Sequence, residues 1–175
     1  YSDTVFITEP DEVVLVTSAD TTVCPGTLVP FSAQVSGGSG TYLITWENGE
    51  GFGTSFETYI MGTTNISVIA VDQNGCEAVP NSVIVTTHPP VQAAFDETIL
   101  QPCVSPFEFS FNNTSVNAVS YEWDFGNGNS SNALSPNATY DSSASYVVSL
   151  IATSAEGCLD SSVQTIVIDP LPVAS

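Results

Sequence analysis

The sequence contains no lysine and no arginine. Its 175 residues include 19 Asp and Glu and a single histidine, for a formal charge of −19. A chain of ordinary composition and this length would carry ~20 basic residues, and drawing none by chance has a probability on the order of one in a billion. The acidic share is ordinary, since only 11% of residues are charged at all; the net charge comes from missing cations. Without Lys or Arg there is no phosphate clamp, no Schiff-base lysine, no arginine finger, no cationic groove for nucleic acid and no basic patch for anionic lipid. Trypsin-like proteases find no site to cut, and no side-chain salt bridge can form except through His88.

Long apolar runs are also missing. Stretches such as Val13 to Val16 last only a few residues, so no segment is expected to insert in a membrane. The chain opens at Tyr1 without the basic leader of a signal peptide, which reads as a mature fragment or an excised piece. No window holds helical apolar spacing with caps. What is present is 42% hydrophobic residues, ample for packed cores.

An internal repeat organises the chain. Cys24 and Cys103 lie 79 positions apart, Cys76 and Cys158 lie 82 apart, and Trp46 and Trp123 lie 77 apart. Each second cysteine follows a glycine, in Asn74-Gly75-Cys76 and Glu156-Gly157-Cys158, and each is followed by an alternating strand that ends in proline at Pro89 or Pro170. Two tandem modules of about 80 residues follow from this period. Thr4-Val-Phe-Ile-Thr-Glu-Pro10 repeats the same terminal strand a third time. Residues 1–10 therefore read as the last strand of a preceding repeat, 11–89 and 90–170 as the two modules, and 171–175 as the start of the next linker. Two accounts of the opening strand stand side by side: a cut through a longer array, or a strand donated to a neighbouring subunit by β-augmentation.

Alternation of β-branched and aromatic residues predicts strands over 12–17, 28–35, 41–47, 55–59, 65–72 and 82–88, then 91–95, 107–112, 120–125, 137–140, 145–153 and 162–169. Glycine-rich and Asn-Gly turns separate them. Six or seven short strands in ~80 residues indicate an all-β chain of tandem immunoglobulin-like sandwiches. The stiff Pro89-Pro90 junction implies a semi-rigid rod.

The cysteines have no close C-x-x-C pair, which argues against zinc and for an oxidising compartment. Because the repeat carries both positions together, the expected pairing is Cys24–Cys76 and Cys103–Cys158, one bond per module. The first cysteine precedes a strand and the second sits at a hairpin tip, which lie at opposite ends of a standard sandwich. Either an edge strand folds back or the thiols are free.

Tyr121-Glu-Trp123-Asp124-Phe125-Gly126-Asn127-Gly128, then Pro136-Asn-Ala-Thr-Tyr140, then Tyr146-Val-Val-Ser-Leu150 resembles a PKD domain. That family's signature is Y-x-W-D-F-G-D-G, P-x-H-x-Y and G-x-Y-x-V-x-L, and here Asn127, Ala138 and Ala144 replace its Asp, His and Gly. The first module, with Val23-Cys24-Pro-Gly26, Ser36-Gly-Gly-Ser-Gly-Thr-Tyr42 and Val71-Asp-Gln-Asn-Gly-Cys76, looks like repeats of the large surface adhesins of gliding Bacteroidota. Together these resemblances imply a segment of a long, extracellular, multi-domain cell-surface or filament protein.

The chemistry read from the residues is sparse. His88 stands alone at a strand end with no G-x-S-x-G nucleophile to serve. Glu122 and Asp124 share a strand face, but the motif's Asp belongs to a turn, where it accepts backbone hydrogen bonds. Trp46 and Trp123 occupy equivalent mid-strand places and are assigned to the core; Tyr42, Phe52 and Tyr59 are the better platforms for a sugar. Calcium is the one cofactor to test, with Glu9, Asp11, Glu12, Asp72, Asp96 and Glu97 gathering near module junctions. Sequons fall at Asn65, Asn112, Asn113, Asn129 and Asn137, and the resemblance adds O-linked sugar at Thr4 or Thr21. No catalytic set assembles. The expected role is a structural spacer whose partners are neighbouring repeats or filament subunits; the alternative is a ligand- or glycan-binding accessory module.

Overall fold

The computed structural model describes residues 9–47, 51–102 and 105–169, and every regular element among them is a β-strand. The chain divides into two compact units, Tyr1–His88 and Pro89–Ser175. Each is a two-layered sandwich.

The first unit contains β1 (Val14–Thr17), β2 (Thr21–Val23), β3 (Thr27–Ser36), β4 (Tyr42–Trp46), β5 (Gly51–Phe52), β6 (Ser55–Ile60), β7 (Thr64–Asp72) and β8 (Asn81–Thr87). One layer orders as β1-β3-β6 and the other as β2-β8-β7-β4-β5. Side chains alternate across a strand, and β7 shows the result: Ile66, Val68, Ala70 and Asp72 point inward, all buried. They meet Val29, Phe31 and Ala33 from β3 in one core. Phe31, Trp46 and Phe56 form its aromatic centre, with Phe31 and Phe56 stacked at 4.9 Å.

The second unit contains β9 (Phe95–Gln101), β10 (Phe107–Asn113), β11 (Ser120–Asp124), β12 (Ser130–Ser131), β13 (Asn137–Tyr140), β14 (Ser145–Thr153) and β15 (Leu159–Val167). Its layers order as β13-β10-β9 and β12-β11-β14-β15. Trp123 stands at the centre of the core, edge-on to Phe95 at 5.1 Å and beside Phe111 and Phe125. Burying each such ring removes enough apolar area to favour folding by roughly 1.5–3 kcal/mol, and the aliphatics that complete this core are Val148 and Leu150 of β14, Ala138 of β13, Ile166 of β15 and Ile168 after it.

Three departures from the sequence reading have a common cause. The strand expected over 91–95 runs instead over Phe95–Gln101, where only the first residue is buried. β2 is three residues long and pairs in parallel with β8, Thr21 opposite Val85. β15 begins at Leu159, three residues before the expected start. In each case the pairing is at a sheet edge, where at most one residue of the strand is buried and little alternation is left for the sequence to display.

Candidate functional site

The signature run of the second unit folds as the end of β11 and the turn that leaves it. Trp123 is 2% exposed, and its indole N–H donates to Ala133 O at 3.0 Å. Asp124 turns outward, and its Oδ1 accepts the Gly126 N–H at 2.8 Å, closing an Asx turn. Asn127 then donates from Nδ2 to Thr139 O at 2.9 Å while its Oδ1 accepts the Asn129 N–H. An aspartate at 127 could accept but not donate, so the replacement adds a bond that the family's usual residue lacks. Gly126 has φ +71°, and a Cβ there would lie 2.5 Å from Val147 O. Only glycine allows this turn to press on the β14 backbone.

Tyr140 closes the site from the other layer. Its hydroxyl donates to Phe125 O at 3.1 Å and its ring sits 4.5 Å from that of Tyr146. Burial, with Tyr146 and Asp124 adding to it, pushes the Tyr140 phenol up to about 12, so it remains a donor across the physiological range. Tyr146 donates to Ser142 O, and Tyr121 donates to Ala118 O. Every polar atom of Tyr121, Trp123 and Tyr140 for which a bond is seen is thus spent on backbone of the same unit. Gly128, with φ +88°, completes the turn in open space.

A second constellation lies at the end of β7, on Asp72, which sequence reasoning offered as a calcium ligand and not as the centre of a turn. Asp72 is 5% exposed, yet no Lys or Arg exists to pair with it. Backbone N–H groups take that role: Oδ1 accepts from Asn74 at 2.9 Å and Cys76 at 2.8 Å, and Oδ2 accepts from Ser39 at 2.9 Å. The Cys76 N–H bond, opposed by burial and reinforced by Ser39 and Asn74, holds the carboxyl below the ordinary carboxylate value. The second unit builds the same turn on Ser154, whose Oγ accepts from Glu156 and Cys158. In both, the residue's own N–H donates to the cysteine carbonyl, at 2.9 Å. The available signal was parity: Asp72 continues the inward row of Ile66, Val68 and Ala70, as Ser154 continues Val148, Leu150 and Ala152.

The expected cysteine pairing fails in the first unit. Cys24 and Cys158 are disulfide-bonded, whereas Cys76 is an exposed free thiol. Val23 lies level with Thr87 at one end of the five-stranded sheet, while Cys76 follows Asp72 at the other end. The nine residues of β7 from Thr64 to Asp72 span ~26 Å at the usual rise of a strand, and a disulfide requires Cα atoms within about 7 Å. Cys103 and Thr4 lie outside the described residues, as does the opening strand up to residue 8.

The acids proposed for calcium fall in two units and in different settings. Glu9, Asp11 and Glu12 line a shallow concavity of about 630 Å³ with Cys76 and Glu77, but Asp72 is committed to its turn, and Asp96 and Glu97 stand exposed on β9 of the other unit. Among the described residues no three His, Cys, Asp or Glu side chains are grouped to hold a metal ion. Of the sequons, Asn65, Asn112, Asn129 and Asn137 are exposed. Asn113 is a correction, since its Nδ2 is buried without a hydrogen-bond partner and cannot meet a glycosyl donor in the folded chain. Thr21 is half-buried within β2. Tyr42 is likewise withdrawn as a stacking platform, because it packs on the core and donates to Gly37 O. His88, half-buried at the end of β8, donates its N–H to Val23 O.

Residues 86–169 match the family model described as PKD domain. This segment is a PKD domain. A curated relative, the pre-pro-metalloprotease PrtV of Vibrio cholerae, is 45% identical over 62 residues, which is 34% of this chain and 7% of that protein. Among solved structures, the PKD1 domain of that same protease has 34% identity over 47% of this chain and 100% of its own, with a TM-score of 0.42. The PKD1 domain of Vibrio anguillarum Epp has 28% identity over 48% of this chain and 98% of its own, with a TM-score of 0.43. The chain therefore spans only a small fraction of the length of the protease it matches.

Proposed function

We propose that the chain is a non-enzymatic spacer segment of an extracellular multi-domain protein, in which the PKD module and its neighbour act as mechanical units. The observation that carries this reading is how the signature is spent: the polar groups of Trp123, Asp124, Asn127 and Tyr140 all bond to backbone within the module. A site built for a ligand would aim such groups at open space. The disulfide-bonded Cys24 and Cys158 fit an oxidising exterior, as does the origin of the PKD relative in a pre-pro-protease. A cell-surface adhesin or filament as the parent protein rests on the first module's resemblance to gliding-bacterial surface repeats. The reading requires no cofactor.

The alternative, a glycan-binding accessory module, depends on a contiguous aromatic platform. Phe52 is 75% exposed and Tyr59 67% exposed, but they belong to different sheets, on β5 and β6. Calorimetric titration with chito-oligosaccharides, cello-oligosaccharides and alginate tests both readings. The spacer gives no saturable heat at millimolar ligand. Saturable binding lost in Phe52→Ala or Tyr59→Ala replaces it with the accessory-module reading.

A further inference from the structure

The two units treat the same sheet edge differently. In the first, the outer edge of β8 is covered: β2 runs alongside it in parallel, and Asp20 Oδ1 accepts the Ile84 N–H at 2.8 Å. In the second, the matching segment of the repeat, Leu100–Pro102, ends β9 on the opposite layer, with Gln101 paired to Glu108. Among the described residues β15 pairs with β14 alone, through nine consecutive positions without a bulge. Its outer backbone edge is therefore a nine-residue row without a neighbouring strand. The contacts of β15 with the segment leading into β9 run through side chains, Asp160 Oδ2 accepting the Ala93 N–H at 2.8 Å and Gln164 Nε2 donating to Phe95 O at 2.6 Å.

Edges of this kind recruit other strands unless lysines, prolines or bulges blunt them. The chain has no lysine, residues 159–167 contain no proline, and the only charge on β15 is Asp160. The part of the solvent face formed by β14 and β15 also lacks charge, the nearest carboxylates on that face being Glu122 and Asp124 of β11, opposite Ile151 and Ser149. Each β14–β15 pair on it joins one aliphatic residue to one hydroxyl: Ser145 with Val167, Val147 with Thr165, Ser149 with Val163, Ile151 with Ser161, and Thr153 with Leu159.

We infer that β15 is an interface for a second copy of this chain, pairing antiparallel with its own equivalent about a two-fold axis at Val163. The pattern of the strand selects this occupant. On the solvent face Leu159, Ser161, Val163, Thr165 and Val167 read apolar, hydroxyl, apolar, hydroxyl, apolar, which is the same in either direction. A two-fold axis at Val163 sets Leu159 against Val167 of the second copy, Ser161 against Thr165, and Val163 against itself. These like-with-like pairs are the favourable cross-strand combinations, and an isologous contact requires this self-complementarity. On the other face Asp160 meets Ile166, so the two Asp160 carboxylates stand six residues apart along the ladder, ~20 Å at the rise of a strand. That exceeds the Debye length of ~8 Å at physiological salt. The −19 charges of the two chains still repel at low ionic strength, where the Debye length reaches ~30 Å at 0.01 M; the association is therefore promoted by salt.

The test uses the full chain with Cys76→Ser and Cys103→Ser, so that Cys24 and Cys158, both disulfide-bonded, are the native cysteines that remain. In an antiparallel pair, opposed Cα atoms are about 4.5–5.5 Å apart, within disulfide range. Val163→Cys is expected to cross-link to itself under mild oxidation, and Leu159→Cys is not, although an equal mixture of Leu159→Cys and Val167→Cys is. Sedimentation equilibrium should show mass rising with concentration, more at 150 mM than at 10 mM salt, and Val163→Lys should abolish the rise with an unchanged melting temperature. Equal self-linking by Val163→Cys and Leu159→Cys, or a monomeric mass at millimolar protein with no cross-link, overturns the inference.

Discussion

Gly126 and Gly128 sit two residues apart in one turn and make opposite predictions about why each is glycine. Both have positive φ, +71° and +88°, so an alanine at either position carries the left-handed penalty of roughly 1–2 kcal/mol. At Gly128 that is the whole cost, because a Cβ there meets nothing within 4 Å. At Gly126 the Cβ would lie 2.5 Å from Val147 O and 2.9 Å from Val147 N, both backbone atoms. Val147 lies in β14, opposite Thr165 of β15 and two residues beyond the Asp124–Ser149 pair that ends the ladder with β11. The strand cannot yield without disturbing its pairing with β15, and such overpacking costs typically ~1–3 kcal/mol more. Gly126→Ala is therefore expected to lose about 2–5 kcal/mol and Gly128→Ala about 1–2 kcal/mol. For a unit of 60–100 residues each kcal/mol lowers the melting temperature by roughly 4–8 °C. The assay is urea denaturation followed by tryptophan fluorescence in a Trp46→Phe background, which leaves Trp123 as the reporter of the second unit. Equal losses at the two glycines would refute the steric argument and leave only backbone conformation.

Two further predictions concern the first unit. Asp72 has its folded pKa held below the ordinary value, so the unfolded chain binds its proton first as pH falls. Its stabilising effect is complete above the unfolded value, near 3.8, and is lost as pH drops through the lower folded value. Melting temperature against pH from 7 to 2 should fall less steeply at the acid end in Asp72→Ser, which installs the residue that the second unit uses, and Asp72→Ala should be less stable than Asp72→Ser at pH 7. Cys76 should be alkylated by iodoacetamide in the native chain while Cys24 and Cys158 remain protected until reduction. Mass spectrometry after cleavage at glutamate locates the label, and Cys76→Ser should leave the melting temperature unchanged.

The absence of Lys and Arg reaches into the interior as well as the surface. A buried carboxylate ordinarily finds a cation; here Asp72 is satisfied by three N–H groups from two loops. The consequence is a chain whose polar contacts are almost all hydrogen bonds to backbone, which salt screens little.

Much of this was legible in the sequence because strand identity is local. Alternation placed β7, β8, β10, β11 and β14 within a residue or two of their ends, since each is buried on one face and its side chains record that every second residue. The repeat period placed Trp46 and Trp123 in the two cores, and the signature run led to the PKD domain. The cysteine pairing was not legible, because spacing shows that two positions recur together but not whether they lie at one end of a sandwich. That depends on strand direction, and the ~26 Å length of β7 separates Cys24 from Cys76. The edge strands β2, β9 and β12 were equally silent, being short or buried on one residue. Sequence by itself determined the layers and their inward faces, through the two-residue period of the backbone. Only the tertiary structure decided which ends meet, which acid is enclosed and which edge stays open, because those follow from how the layers are ordered in space.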